Sequence, residues 1–278
     1  MNAPKAKQDA QHSSFRLLLE YDGGRYQGWQ RQGTKQTAAG VKTIAGTLDR
    51  QLHRAGIKVL HIGGSGRTDA GVHALGQVAS LQLAHPMKQS ELRHILDAGM
   101  PYDISIIAIE PCPPEFDPRR DAISRSYIYQ IALRKSAFAK NYTWWPKVPL
   151  DLDAVEKAWR MFEGNHSMAA FADLTTEENP HCQIYKCETR VCGSMLLLRV
   201  TGKFFLRKQV RRMVGAAIHC GTGKVGLEQV KRDIKTPKGD SALFWAERAA
   251  PAAGLFLESV SYQGGPNIAE LSPVLKII

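Results

Sequence analysis

Long apolar runs are missing from this chain: nowhere do about 18 consecutive apolar residues occur, the length a membrane-crossing helix needs. The amino terminus, MNAPKAKQDAQHSS, lacks the apolar core of a secretion signal, so residues 1–13 read as a flexible polar tail. A chain with neither feature is expected in the cytoplasm. Cysteine is also sparse. Its five copies (Cys112, Cys182, Cys187, Cys192 and Cys220) are an odd number in a chain without a signal, which argues against a disulfide framework. A zinc site is disfavoured by spacing. Beside His181 the cysteines fall five apart, whereas zinc ligands come about two to four apart on a turn. In an extended QIYKCETRV, a spacing of five puts successive cysteines on opposite faces.

Several reaction classes lack their motifs. No His has Glu two residues on, and Pro111-Cys112 is followed by Pro113, Pro114 and Glu115, so the zinc-dependent base deaminase signature is missing. There is no G-x-S-x-G elbow. Gly221-Thr-Gly223-Lys-Val-Gly226 matches G-x-G-x-x-G in form, but that fingerprint needs a strand before it, and here a helical pattern precedes it. These glycines read as the cap of that helix. No cofactor or metal is expected.

Acidic residues are the last deficit: 26 against 37 basic ones, for a net charge of +11. Such an excess favours a polyanionic partner, nucleic acid above all, with solubility as the plain alternative. Periodicity gives strands in SFRLLLEYDG, IKVLHIGG, GQVASLQLA, DISIIAIEP, SYIYQIAL and GLFLESVSY, and a hairpin in ETRVCGSMLLLRVTG turning at Gly193-Ser194. Helices are expected in VKTIAGTLDRQLHRAG, QSELRHILDAGMP, LDAVEKAWRMFEG, FFLRKQVRRMVGAAIHCG and GLEQVKRDIKT. The proline-dense PCPPEFDPRRD divides them. The expectation is an α+β protein of two domains, 14–114 and 115–265, between the tail and a carboxy-terminal extension over 266–278.

Three features are candidates for chemistry. GGSGRTDAGVHALG, residues 63–76, sets Arg67 and Asp69 among four glycines directly after a strand. Glycine costs entropy on folding and buries nothing, so the loop trades stability for backbone access. An ionised Asp69 beside Arg67 is either an electrostatic stabiliser or a nucleophile, unless it merely closes a turn. In KFFLRKQVRR, a helix would stack Arg207 on Arg211 and Lys208 on Arg212. Such repulsion makes sense against a phosphate or carboxylate, or else on a solvated face. In Ser126-Tyr127-Ile128-Tyr129 the two tyrosines share a face, as sheet aromatics or as platforms for an unstacked base.

These residues carry a resemblance. EYDGGRYQGWQRQ (20–32), GRTDAGVHALGQV (66–78), SRSYIY (124–129), FLRKQVRRMVG (205–215) and APAAGLFLESV (250–260) stand in the order of the TruA-type tRNA pseudouridine synthase family, and the match runs from about residue 15 to 264. The resemblance implies two α/β-sandwich domains with mainly antiparallel sheets flanking a basic catalytic cleft, in a homodimer. It implies isomerisation of uridine to pseudouridine at positions 38, 39 and 40 in the tRNA anticodon stem-loop, without cofactor. Asp69 falls on the family's nucleophile, Arg211 on the arginine that pairs with it, and Tyr127 on the tyrosine that contacts the target base. Arg67 supplies electrostatic support, and Arg207, Lys208 and Arg212 are expected on tRNA. This helix departs from the family's frequent His-His-Met, reading Arg207-Lys208-Gln209 instead. Whether the aspartate attacks C1′ of the ribose or C6 of the base is open.

Overall fold

The computed structural model describes residues 12–31, 40–175, 177–237, 239–264 and 269–275. Residues 1–11 of the expected tail, and 266–268 and 276–278 of the extension, lie outside them. The order is β1 (Ser13–Tyr21), α1 (Ile44–Arg54), β2 (Val59–Gly64), β3 (His73–Leu83), α2 (Gln89–Gly99), β4 (Ile104–Pro111) and β5 (Ser124–Ala132). There follow α3 (Leu152–Arg160), β6 (Gly164–Ser167), β7 (His181–Cys192), β8 (Met195–Gly202), α4 (Gln209–Gly221), α5 (Leu227–Lys235), α6 (Ser241–Glu247) and β9 (Leu255–Ser261). The class is α+β, with a mixed, mostly antiparallel sheet.

The strands form one sheet in the order β4-β1-β3-β9-β5-β8-β7-β6, with β2 also on β3. The last strand does the joining. β9 pairs antiparallel with β5, and on its other edge runs parallel to β3 through only His73–Phe256 and Ala74–Leu257. The stretches 14–114 and 115–265 therefore meet across a two-residue ladder, directly after the glycine loop. Helix α1 buries Ile44, Ala45, Leu48 and Leu52, one stripe at helical spacing, and begins where Thr43 accepts a hydrogen bond from the Gly46 amide. Helix α4 is buried on nearly every side. Its Gly215 lies so close to the Arg248 carbonyl that any Cβ would collide with it. On the opposite face of the sheet, Leu271 from the carboxy-terminal stretch covers Ile128, Met195 and Leu197.

Two expectations need correction, and two elements were not foreseen. Helix α4 starts at Gln209, not at Phe204, because Lys208 takes a left-handed φ of 60° and the Gln209 side chain accepts from the Leu206 amide at 2.8 Å. Arg207 is thus outside the helix, and the stacking of like charges does not arise. Cys182 and Cys187 do not face opposite ways: the register shift between Ile184 and Lys186 turns both into the core. Strand β6 and helix α6 had no sequence signal. They span four and seven residues, too short for a period to register. The glycine motif after α4 is a cap. Gly223 adopts φ 68° and its amide bonds the Cys220 carbonyl at 3.0 Å.

Gly215→Ala sets two effects against each other. Alanine gains about 1 kcal/mol of helix propensity, while crowding a backbone carbonyl costs about 1–3 kcal/mol and rises when neither backbone can yield. Urea denaturation is expected to show net destabilisation; a more stable variant would mean that α4 can move away from Arg248.

Candidate active site

The loop between β2 and β3 is held by its backbone rather than by side-chain packing. Buried Gln77 bonds it from below: its amide donates to the Gly66 carbonyl at 2.8 Å and its oxygen accepts from the Ser65 hydroxyl at 3.0 Å. The Tyr21 hydroxyl and Thr68 Oγ1 are 2.8 Å apart. From the other side the segment after β1 closes on the loop. The Trp29 amide donates to the Thr68 carbonyl at 3.1 Å, and the Gly71 amide to the Tyr26 carbonyl at 3.1 Å. Gly28, at φ 87°, faces the Thr68 carbonyl with no room for a Cβ. The second half contributes Arg125, whose guanidinium donates to the Ser65 carbonyl at 3.0 Å and the Lys203 carbonyl at 2.8 Å. That arginine is buried and tied to carbonyls alone, so it acts as a strut.

On this frame the Asp69 side chain is 21% exposed, and Arg211 Nη1 lies 3.7 Å from its Oδ2. Arg211 is itself fixed. Its Nε donates to the Ala250 carbonyl at 2.8 Å, and the Ala250 amide donates back to the Arg211 carbonyl at 2.9 Å. The turn that follows is held by Tyr129, whose hydroxyl donates to the Pro251 carbonyl at 2.8 Å. It then brings Ala252 against Gly71. Tyr127 completes the group. Its ring packs edge-on to Phe205 at 5.2 Å, and a Cβ on Gly66 would sit 3.4 Å from its hydroxyl. Burial pushes the Tyr127 phenol up to about 12, with Arg125 pulling it down and Asp69 pushing it further up. It stays a neutral donor throughout the ordinary pH range.

The remaining basic residues divide. Arg67 is exposed and makes no ion pair with Asp69 among the described residues; it lines a groove of about 630 Å³ with Trp29, Arg31, Phe116 and Arg119. Arg207, Lys208 and Arg212 converge on Asp173, Lys208 at 2.7 Å, Arg207 at 4.0 Å and Arg212 through a direct bond. Arg212 is only 3% exposed at its side chain and also bonds the Ala172 carbonyl at 2.8 Å. The expectation that Arg212 meets tRNA is corrected, since its side chain is buried and both terminal nitrogens are bonded to Asp173 and to the Ala172 and Ala242 carbonyls inside the fold. Gln209, where the family often has Met, is buried and caps the turn before α4. Sequence reasoning missed Gln77, Arg125 and Asp173. A glutamine in the middle of the buried strand β3 was a signal for the first; nothing local marked Asp173.

A family model described as tRNA pseudouridine synthase matches residues 18–119 and 158–263. The tRNA pseudouridine synthase A of a Bacillus species (strain KSM-64) is 34% identical over 253 residues, 90% of this chain and 100% of that protein. Those of Thermodesulfovibrio yellowstonii and Sinorhizobium fredii are each 33% identical, over 90% and 89% of this chain and 99% of either relative. A carboxylate on a backbone-clamped loop, faced by an arginine of helix α4 from the other half of the chain, thus sits in an enzyme of RNA modification. The chain belongs to the tRNA pseudouridine synthase family, isomerases acting on tRNA uridine.

Arg211 and Arg212 are adjacent and expected to fail differently. Arg211→Ala removes a partly exposed group beside Asp69, so the protein stays folded while turnover falls. Arg212→Ala takes a buried donor from Asp173, which keeps Lys208, and from the Ala172 and Ala242 carbonyls, at a cost of about 1–3 kcal/mol. Thermal denaturation and tRNA turnover of both variants check this; equal stability losses would contradict the division.

Proposed function

We propose that Asp69 is the nucleophile for isomerisation of uridine to pseudouridine at positions 38, 39 and 40 of the tRNA anticodon stem-loop. The observation that carries the reading is the pairing of Asp69 with Arg211 beside a neutral, buried Tyr127. In the reaction the N1–C1′ bond breaks, the uracil turns, and C5 bonds C1′ and loses its hydrogen as a proton while N1 gains one. No electron leaves the substrate. A carboxylate that opens this sequence must be ionised, aimed and out of reach of other carboxylates; the arginine supplies the first two conditions. The glycine loop contains no second acid. Tyr127 is proposed to meet the extruded base, and Arg67, in its exposed groove, to meet the RNA and not the carboxylate. Arg207 and Lys208, exposed in part beside Asp173, are proposed at the edge of the RNA path. On this reading the substrate lies between the units 14–114 and 115–265, in a cytoplasmic homodimer.

Asp69→Ala is the test. Release of tritium from C5-labelled uridine in tRNA is expected to drop below detection. The affinity for tRNA is expected to hold or tighten, because a negative charge leaves a site that receives phosphates. Thermal stability should hold as well, since the loop is set by Gln77 and the backbone bonds to Tyr26 and Trp29. Activity within about tenfold of wild type in a folded, binding-competent variant would refute the assignment. Joint loss of all three would make Asp69 a turn-closing residue. Tyr127 is separated by two substitutions. Tyr127→Phe should bind tRNA normally, while Tyr127→Leu should lose about 1–3 kcal/mol of binding if the ring stacks on the base. Full activity in the Leu variant would reduce Tyr127 to packing.

A further inference from the structure

From Ala122 to Leu150 the chain contains no Asp or Glu, yet it carries five basic residues. Two of these are tied to backbone or side-chain oxygens, Arg125 inside the fold and Arg134 at the Ser194 hydroxyl. The other three, Lys135, Lys140 and Lys147, are exposed and enter no ion pair among the described residues. Between them Phe138 stands 95% exposed. An isolated large aromatic is ordinary on a protein surface. One flanked by unpaired cations on a loop with no acid is not, because each lysine leaves its neighbours' repulsion uncompensated.

The loop is also held in place. It leaves β5 at Ala132 and returns to it, the Ala132 amide donating to the Trp144 carbonyl at 2.8 Å and the Trp144 amide to the Gln130 carbonyl at 3.0 Å. The Thr143 hydroxyl donates to the Ala139 carbonyl at 2.9 Å, closing the turn that carries Phe138 and Lys140. The Tyr142 hydroxyl donates to Asp22 at 2.8 Å, at the start of the segment that braces the catalytic loop. The short helical turn Ala139–Asn141 packs on Ala252–Gly254, and Ala252 touches Gly71. One layer of chain therefore separates this surface from the loop bearing Asp69. The contrast with the most basic stretch of the sequence is plain. Arg207, Lys208 and Arg212 share the carboxylate of Asp173, whereas Lys135, Lys140 and Lys147 meet no carboxylate among the described residues.

We propose that residues 133–147 form a second RNA-binding surface, in which Lys135, Lys140 and Lys147 meet phosphates of the tRNA outside the target uridine and Phe138 stacks on an unpaired base. Phosphate and base faces together are what separated lysines and an exposed ring can recognise, and single-stranded RNA offers both. The proposal rests on tRNA being the substrate, but not on the identity of the nucleophile.

Full-length protein and unmodified tRNA test it. In the triple variant Lys135→Ala, Lys140→Ala, Lys147→Ala, the slope of log affinity against log salt should become shallower by about two to three units, near one for each phosphate no longer neutralised. Single-turnover tritium release at saturating tRNA should stay within about twofold of wild type, since none of the three touches Asp69 or Arg211. Phe138→Ala should weaken binding about 5- to 100-fold, the range expected for one stacked base, with the salt slope unchanged. A control that removes the same charge from the helical surface, Lys157→Ala, Lys224→Ala, Lys235→Ala, should leave the slope at its wild-type value. An unchanged slope in the first variant, or an equal change in the control, would overturn the proposal. All four loop side chains are exposed, and equal thermal midpoints verify the fold. Wild-type protein that binds tRNA but releases no tritium would instead refute the catalytic reading, and the slopes would still decide this one.

Discussion

Everything at the site depends on one interaction between distant parts of the chain, the pairing of Asp69 with Arg211. As a stabilising interaction it counts for little, because a partly exposed ion pair is worth about 0–1 kcal/mol. Its importance is positional. Asp69 is carried on the loop between β2 and β3, Arg211 on the first turn of α4, and the sheet joins their halves only through the short β3–β9 ladder. The carboxylate and the guanidinium stay within 3.7 Å because each is fixed by backbone hydrogen bonds of its own. Gln77, Tyr26 and Trp29 hold the one; Ala250 holds the other.

That constraint gives each sequence block a physical task. EYDGGRYQGW supplies the amides, carbonyls and missing Cβ atoms that let the chain lie against the aspartate loop. SRSYIY supplies the Arg125 strut, Tyr127 and the Tyr129 hydroxyl that holds Pro251. APAAG forms the turn between Arg211 and Gly71. Charge is partitioned in the same spirit. Arginines that look alike in sequence are struts at Arg125 and Arg212, a partner at Arg211 and an exposed group at Arg67. What separates them is whether their donors meet oxygens of the fold.

Much of this was legible from residue order. Strand and helix periods placed the glycine loop, β5 with Tyr127 and α4 with Arg211, and the Gly223 cap followed from the helix before it. The parts that were not legible share a cause, since each depends on residues far apart in the chain or on turns too local to show a period. The β3–β9 pairing joins residues 73 and 74 to 256 and 257. The start of α4 is decided by Gln209 folding back on Leu206, and the fate of Arg212 by Asp173. The shift in β7 that turns Cys187 inward leaves no mark in a period-two pattern. Helix α6 is too short to show a face of its own.

The central claim is that Asp69 bonds covalently to the substrate, and the hydrogen on C5 offers the means to catch it. Fluorine at that carbon cannot depart as the proton does. On tRNA carrying 5-fluorouridine an aspartate bonded to C6 therefore stays attached, whereas one bonded to C1′ leaves when C5 takes its place and the fluorinated base remains joined through C5. Wild-type protein incubated with such tRNA, digested and weighed by mass spectrometry, should carry nucleotide on the peptide containing Asp69 if the bond is to C6, or release tRNA whose fluorinated base is joined through C5 if the bond is to C1′, and Asp69→Ala should do neither. Nucleotide on any other peptide, or on the Asp69→Ala protein, would contradict the account.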